Sequence, residues 1–188
     1  MEEPAPRREV IGLVFRGLRS ELGRRGLLDR VLARLHGPAR ETLEHPPFHT
    51  TWVPAALHDQ IVLAIAGEAG RQALRDIVYA VVTSATAPVA RPLLKTLLAV
   101  FGATPVSLLK NLNRISALQV RGVRFTYAAE TLRSGVVTVT HCEPVDPLQF
   151  AVWEGVFTFA KDIFGFPVRV ETAVPLPDGC SAEIHVGW

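Results

Sequence analysis

Between Asp146-Pro147 and Gly165 the sequence encodes a helix that is apolar on two sides. Asp146 is a good N-cap, proline at the first helical position gives up no useful donor, and Gly165 followed by Pro167 supplies a stop. Leu148, Ala151, Val152, Gly155, Val156, Phe159, Ala160 and Ile163 recur on one stripe. Phe150, Trp153, Phe157 and Phe164 make a second stripe beside it. Only Glu154, Thr158, Lys161 and Asp162 are left as a polar strip, read here as solvated. Such a helix must bury both faces. One face suits a sheet. The other requires helices, a ligand or another subunit.

The rest of the chain supplies both kinds of cover. Val10, Leu13, Val14, Leu18 and Leu22 share a helical stripe that ends at Gly23 and Gly26. Leu27 to Leu35 predicts a second helix, stopped at Gly37-Pro38. His45 to Pro54 reads as a proline-punctuated loop. Further helices are expected over Ala55–Ala66, Gln72–Thr83, Arg91–Phe101 and Pro105–Ile115, the last capped by Thr104. The period then changes from helical to alternating. Val123, Phe125, Tyr127 and Ala129 mark a half-buried strand, paired through a turn at Arg133-Ser134-Gly135 with Val136–His141. Val168–Val174 and Cys180–Trp188 follow the last helix as a second strand pair. A helical first half followed by β-β-α-β-β predicts an α+β fold with a small antiparallel sheet, residues 8–188 forming one domain behind a flexible N-terminus of residues 1–7.

With 188 residues, 48% of them hydrophobic and 20% charged, the chain can bury a core without disulfides or metal, and disorder is excluded as its main state. The formal charge of +2 makes no general case for nucleic acid. It is unevenly spread: residues 7–40 hold nine arginines against three acidic residues. Arg16, Arg19, Arg24 and Arg25 are the candidates if this segment meets a protein, nucleic acid or anionic surface; a solvated helix face is the plainer reading. Two cysteines, an acidic N-terminus and uncharged runs too short to span a bilayer predict a cytoplasmic protein with no transmembrane segment.

Catalytic signatures are missing. There is no Gly-x-Ser-x-Gly elbow, phosphate-binding Gly-x-x-x-x-Gly-Lys loop, Gly-x-Gly-x-x-Gly fingerprint or His-Glu-x-x-His pair. His45, His49, His58 and Asp59 cluster in sequence, but Pro46 and Pro47 keep His45 and His49 off one helix, so they read as polar loop residues rather than a metal-dependent enzyme's ligands. His141 and Cys142 are adjacent in a strand and point to opposite faces, and Cys180 and His185 do likewise. No metal is expected.

The stretch Trp153-Glu154-Gly155-Val156-Phe157, Phe164-Gly165-Phe166, Val168-Arg169-Val170-Glu171 and Asp178-Gly179-Cys180 through Trp188 resembles the closing helix–strand–strand of the vinyl-reductase-type domain. That domain is related to haem-dependent nitric-oxide sensors and to Golgi transport (TRAPP) subunits. Val10-Ile11-Gly12 and Phe101-Gly102 through Asn113 resemble an uncharacterised, largely myxobacterial family. The resemblance implies a fold whose members bind haem, small ligands or acyl chains, or act as dimeric scaffolds. The Tyr-x-Ser-x-Arg motif of the haem sensors is absent, so haem is not expected, and the cofactor stays unknown.

The function expected is a non-enzymatic regulatory or sensory binding domain, a homodimer, with an apolar pocket or subunit interface beside helix 147–164. Phe150, Trp153, Phe157 and Phe164 are its candidate ligand residues, for an apolar small molecule or acyl chain. The alternative is a protein-interaction scaffold using the arginine-rich segment.

Overall fold

A computed structural model describes residues 7–86, Thr96, 104–164 and 167–188; at 85, 86, 163 and 164 only the backbone is described. The helix expected over Arg91–Phe101 therefore lies outside the described residues, apart from Thr96. Helix α1 (Gly12–Arg24), α2 (Leu28–Arg34), α3 (Gly37–Glu44) and the long α4 (Ala55–Val81) build the first half. α4 runs on into a π-helical turn, Val82–Thr86. α5 (Pro105–Lys110) and α6 (Leu112–Ser116) follow, with the Thr104 side chain accepting from Ser107 N at 3.1 Å, as its cap position predicts. α3 was not expected: Pro38 occupies its first turn, where a proline starts a helix as readily as it stops one.

The strands form two sheets. β4 (Val123–Ala129), β5 (Ser134–His141) and β8 (Ser181–Gly187) are antiparallel in that order, and β8 also pairs with the short β6 (Arg169–Val170) and β7 (Val174–Pro175). Phe125 faces Val139, and Val137 faces Ile184, so the inward positions of all three long strands coincide. The expected strand Val168–Val174 is reduced to these two short pairings. A second sheet has β1 (Glu9–Ile11) between β2 (Trp52–Pro54) and β3 (Val120–Arg121).

The predicted last helix is a 3₁₀ turn (Pro147–Gln149), α7 (Phe150–Thr158) and α8 (Ala160–Phe164). Asp146 Oδ1 accepts from Leu148 N at 2.8 Å, so the capping was correctly read. α7 separates two cores. Ala151 and Phe159, with Val152, Val156 and Ala160, join the helical core of Phe15, Leu18, Ile61, Ile65 and Ile77. Phe150, Trp153 and Phe157 join Phe125, Val137, Val139 and Ile184 on the sheet. Among the residues whose side chains are described, both apolar stripes pack inside the chain.

One residue of the polar strip between them is not solvated. Glu154 is 0% exposed. It binds the Arg71 guanidinium, approaches Arg75 Nε at 3.2 Å and accepts from Ala173 N at 2.8 Å. A carboxylate in a core needs such partners. Arg71 and Arg75 reach it because α4 breaks at Gly70, whose φ of 85° and ψ of 167° belong to glycine alone. Asp162 does stay exposed, accepting from Tyr79 Oη at 2.8 Å.

Candidate functional site

Where α7 meets α1, α4 and the two sheets, packing leaves a cavity of about 160 Å³. Its wall is largely apolar: Val14 and Leu18 of α1, Val78 and Val81 of α4, Leu108 and Leu112 of α5 and α6, and Val152, Val156 and Phe157 of α7. Apolar cavities of about 150 Å³ stay dry and admit benzene-sized molecules. Of the expected ligand residues, Trp153 and Phe157 line it. Phe150 is buried in the sheet core against His141, with ring centroids 5.5 Å apart. The Phe164 side chain lies outside the described residues.

Polar groups are gathered on one wall. Arg8 precedes β1, and its guanidinium grips Asp59 with two hydrogen bonds, Nη1 to Oδ2 at 2.7 Å and Nη2 to Oδ1 at 3.0 Å. Glu143 Oε1 lies 3.5 Å from the same Nη1. Burial pushes the Asp59 carboxyl up, but His58 and Arg8 outweigh it and leave it below the usual carboxylate range. Gln149, buried at the mouth of α7, donates to the Asp59 carbonyl at 3.1 Å. Gly122, with φ of 73°, makes room for Arg8: a Cβ there would lie 2.9 Å from Arg8 Cγ and from Cys142 Sγ.

Two histidines complete this wall. His58 of α4 is buried edge-on to Phe15, and its Nδ1 lies 3.8 Å from Asp59 Oδ1. It is thereby separated in role from His45 and His49, its neighbours in sequence. His141, the last residue of β5, is 4% exposed and accepts at Nε2 from Trp153 Nε1, 3.3 Å away. Burial, then the charges of Arg8 and His58, push its imidazole down to about 4 against the opposing pull of Asp59. It is neutral at pH 7. Trp N–H can only donate, so Nε2 is the bare nitrogen and the proton sits on Nδ1. Among the described residues no three His, Cys, Asp or Glu side chains converge as a metal cluster.

Sequence reasoning missed Arg8, His58, Gln149 and His141 as cavity residues. The available signal was His141 alone, whose inward position follows from strand alternation. The arginines proposed for a partner bind within the chain. Arg16 Nε donates to Pro47 O at 2.9 Å and Arg19 Nε to Glu44 O at 3.1 Å. Arg24 and Arg25 both bind Glu21, at 2.6 Å in each case, and Arg25 also donates to Asp76 O at 3.2 Å. No helix among the described residues is long and apolar enough to cross a membrane.

No protein-family model matches the chain, and no curated protein matches it in sequence. Solved structures do. It is similar to an Fe(II) unliganded H-NOX protein from K. algicida, with a TM-score of 0.67, 10% identity, and 94% of this chain and 95% of that one covered. It is also similar to an H-NOX protein from S. oneidensis in its Fe(II)NO state, with a TM-score of 0.60, 10% identity, and coverages of 94% and 97%. A structure from work on haem distortion in the H-NOX family gives a TM-score of 0.59 at 9% identity, with 94% of each chain covered. These neighbours correct the expectation that haem has no support: the solved proteins similar to this chain are H-NOX proteins studied with Fe(II) or haem. The α+β architecture expected from the sequence is the H-NOX fold.

Proposed function

We propose that this chain is a non-catalytic sensory binding domain whose ligand site is the apolar cavity beside α7. The cavity itself carries the reading: about 160 Å³ of mostly apolar-walled space whose lining also includes Arg8, His58, His141 and Gln149. Recognition sites for small molecules and cofactors have that composition. Neither described stripe of α7 is left over for a second copy, so a pocket accounts for the helix better than a subunit interface does. In the arginine-rich segment Arg24, Arg25, Arg30, Arg34 and Arg40 are ion-paired within the chain, and Arg16 and Arg19 donate to backbone carbonyls, so no specific observation favours the scaffold alternative.

Haem is the occupant suggested by the similar structures; a nitrogen donor for its iron is present, while the described cavity, about 160 Å³ and benzene-sized, would have to widen to take a porphyrin. His58 lines the cavity and turns Nδ1 towards Asp59. A carboxylate on one ring nitrogen is the usual support for a histidine that ligates a metal through the other. His58 is therefore the residue that would hold the iron, with Asp59 and Arg8 orienting it. Bound haem would supply an iron centre able to take a further small ligand. The chain's own part is to keep the apolar wall dry and His58 fixed.

Titrating the purified chain with haemin tests this. A saturable change in the haem absorbance band, lost in His58→Ala, is the expected result. Absence of that change, together with a native mass spectrum showing no co-purified molecule, would overturn the reading.

A further inference from the structure

Among the described residues, two N–H donors of the cavity lining, on Arg8 and His141, have no acceptor. Arg8 spends both Nη groups on Asp59, yet its Nε–H, in a side chain 7% exposed, is buried and unpaired. His141 Nδ1–H is likewise buried and unpaired; Nε2 accepts the hydrogen bond from Trp153 Nε1–H, which leaves the ring proton on Nδ1. Both residues line the cavity, and Arg8 lies beside Cys142, the residue after His141, across Gly122. A buried donor left unsatisfied costs roughly 1–3 kcal/mol, so two in one cavity wall call for an acceptor.

The charge balance says what kind. The Arg8 cation is already matched by Asp59 at 2.7 Å, with Glu143 a further 3.5 Å contact. Arg121, also on the wall, is matched by Glu9 at 2.8 Å and stacked 4.0 Å over Trp52. Among the described residues of the wall, neither arginine is left without a carboxylate to recruit a further carboxylate or phosphate. The neutral state of His141 agrees with this.

We propose that the cavity recognises an apolar ligand through an uncharged oxygen acceptor, of carbonyl type, received by His141 Nδ1–H and Arg8 Nε–H. The inference rests on the cavity being a ligand site. It adds a polar specificity element on the wall opposite in character to the α7 face, whatever fills the apolar part.

Acetophenone and ethylbenzene make the test, since they differ only by a carbonyl in place of a methylene. Calorimetric titration of both into the full chain and into His141→Phe gives four dissociation constants. The preference for acetophenone relative to ethylbenzene should be about tenfold greater in the natural chain than in the variant, the worth of one buried hydrogen bond. Comparing the ratios cancels the difference in transfer from water. Proton–nitrogen NMR of the His141 ring and the Arg8 Nε–H gives a second readout that needs no folded variant. Both resonances should move with acetophenone and not with ethylbenzene. Binding of both probes with equal ratios and unmoved resonances would overturn the acceptor proposal while leaving the cavity as a ligand site. Binding of neither would overturn both.

Discussion

Replacing Glu154 with glutamine separates two descriptions of the last helix. The change keeps the shape and an oxygen for Ala173 N, which now donates to the carboxylate at 2.8 Å. It removes the negative charge facing Arg71 and Arg75. Breaking a buried ion pair from one side costs about 3–5 kcal/mol, because a charge is left without its partner. Here the charges left behind are side chains 32% and 20% exposed, which water can reach, so the lower end applies, about 3 kcal/mol. In a chain of this size that lowers the melting temperature by about 6–12 °C. Urea and thermal melts followed by tryptophan fluorescence read it, with Asp162→Asn as the exposed control from the same strip. A solvated Glu154 would give a change within about 0.5 kcal/mol. That result would refute the buried cluster and restore the polar face expected from sequence.

Close approach of α4 and α7 makes Gly155→Ala destabilising by about 1–3 kcal/mol, since a Cβ there would lie 2.7 Å from Arg75 O and 2.9 Å from Val78 Cβ; an urea midpoint equal to the parent's would show that the helices can separate at no cost. Acid should destabilise the fold through His141. An imidazole held at about 4 instead of 6.5 contributes about 3 kcal/mol that is fully present above pH 6.5 and lost as pH falls towards 4, because the unfolded chain takes up the proton first. Denaturation at pH 7 and 4.5 should show a smaller loss for His141→Phe than for the natural chain; equal losses would count against a buried neutral His141.

What the sequence disclosed follows the range over which its signals act. The two stripes of α7, the Thr104 and Asp146 caps and the alternation of β4, β5 and β8 are local, and they were read correctly. β1, β2 and β3 have three, three and two residues, too few for a period to show. Gly37-Pro38 carries start and stop signals together. Glu154 looked solvated because its partner Arg71 is 83 residues away. His58 looked like a loop histidine for a related reason: the ring that buries it, Phe15, lies on another helix far along the chain, and only Asp59 is its sequence neighbour.

The middle strand of the smaller sheet imposes an order on folding. β1 is synthesised before the other described strands, but its ion-paired contact with β3, Glu9 to Arg121, joins residues 112 apart. At about 5–20 residues per second, roughly 6–22 s of translation separate the two. Through that interval one edge of β1 is open, and a wall of the cavity is without its neighbour strand. The ligand chamber can therefore be closed only late, and α7, which supplies Val152, Val156 and Phe157 to its wall, is made later still.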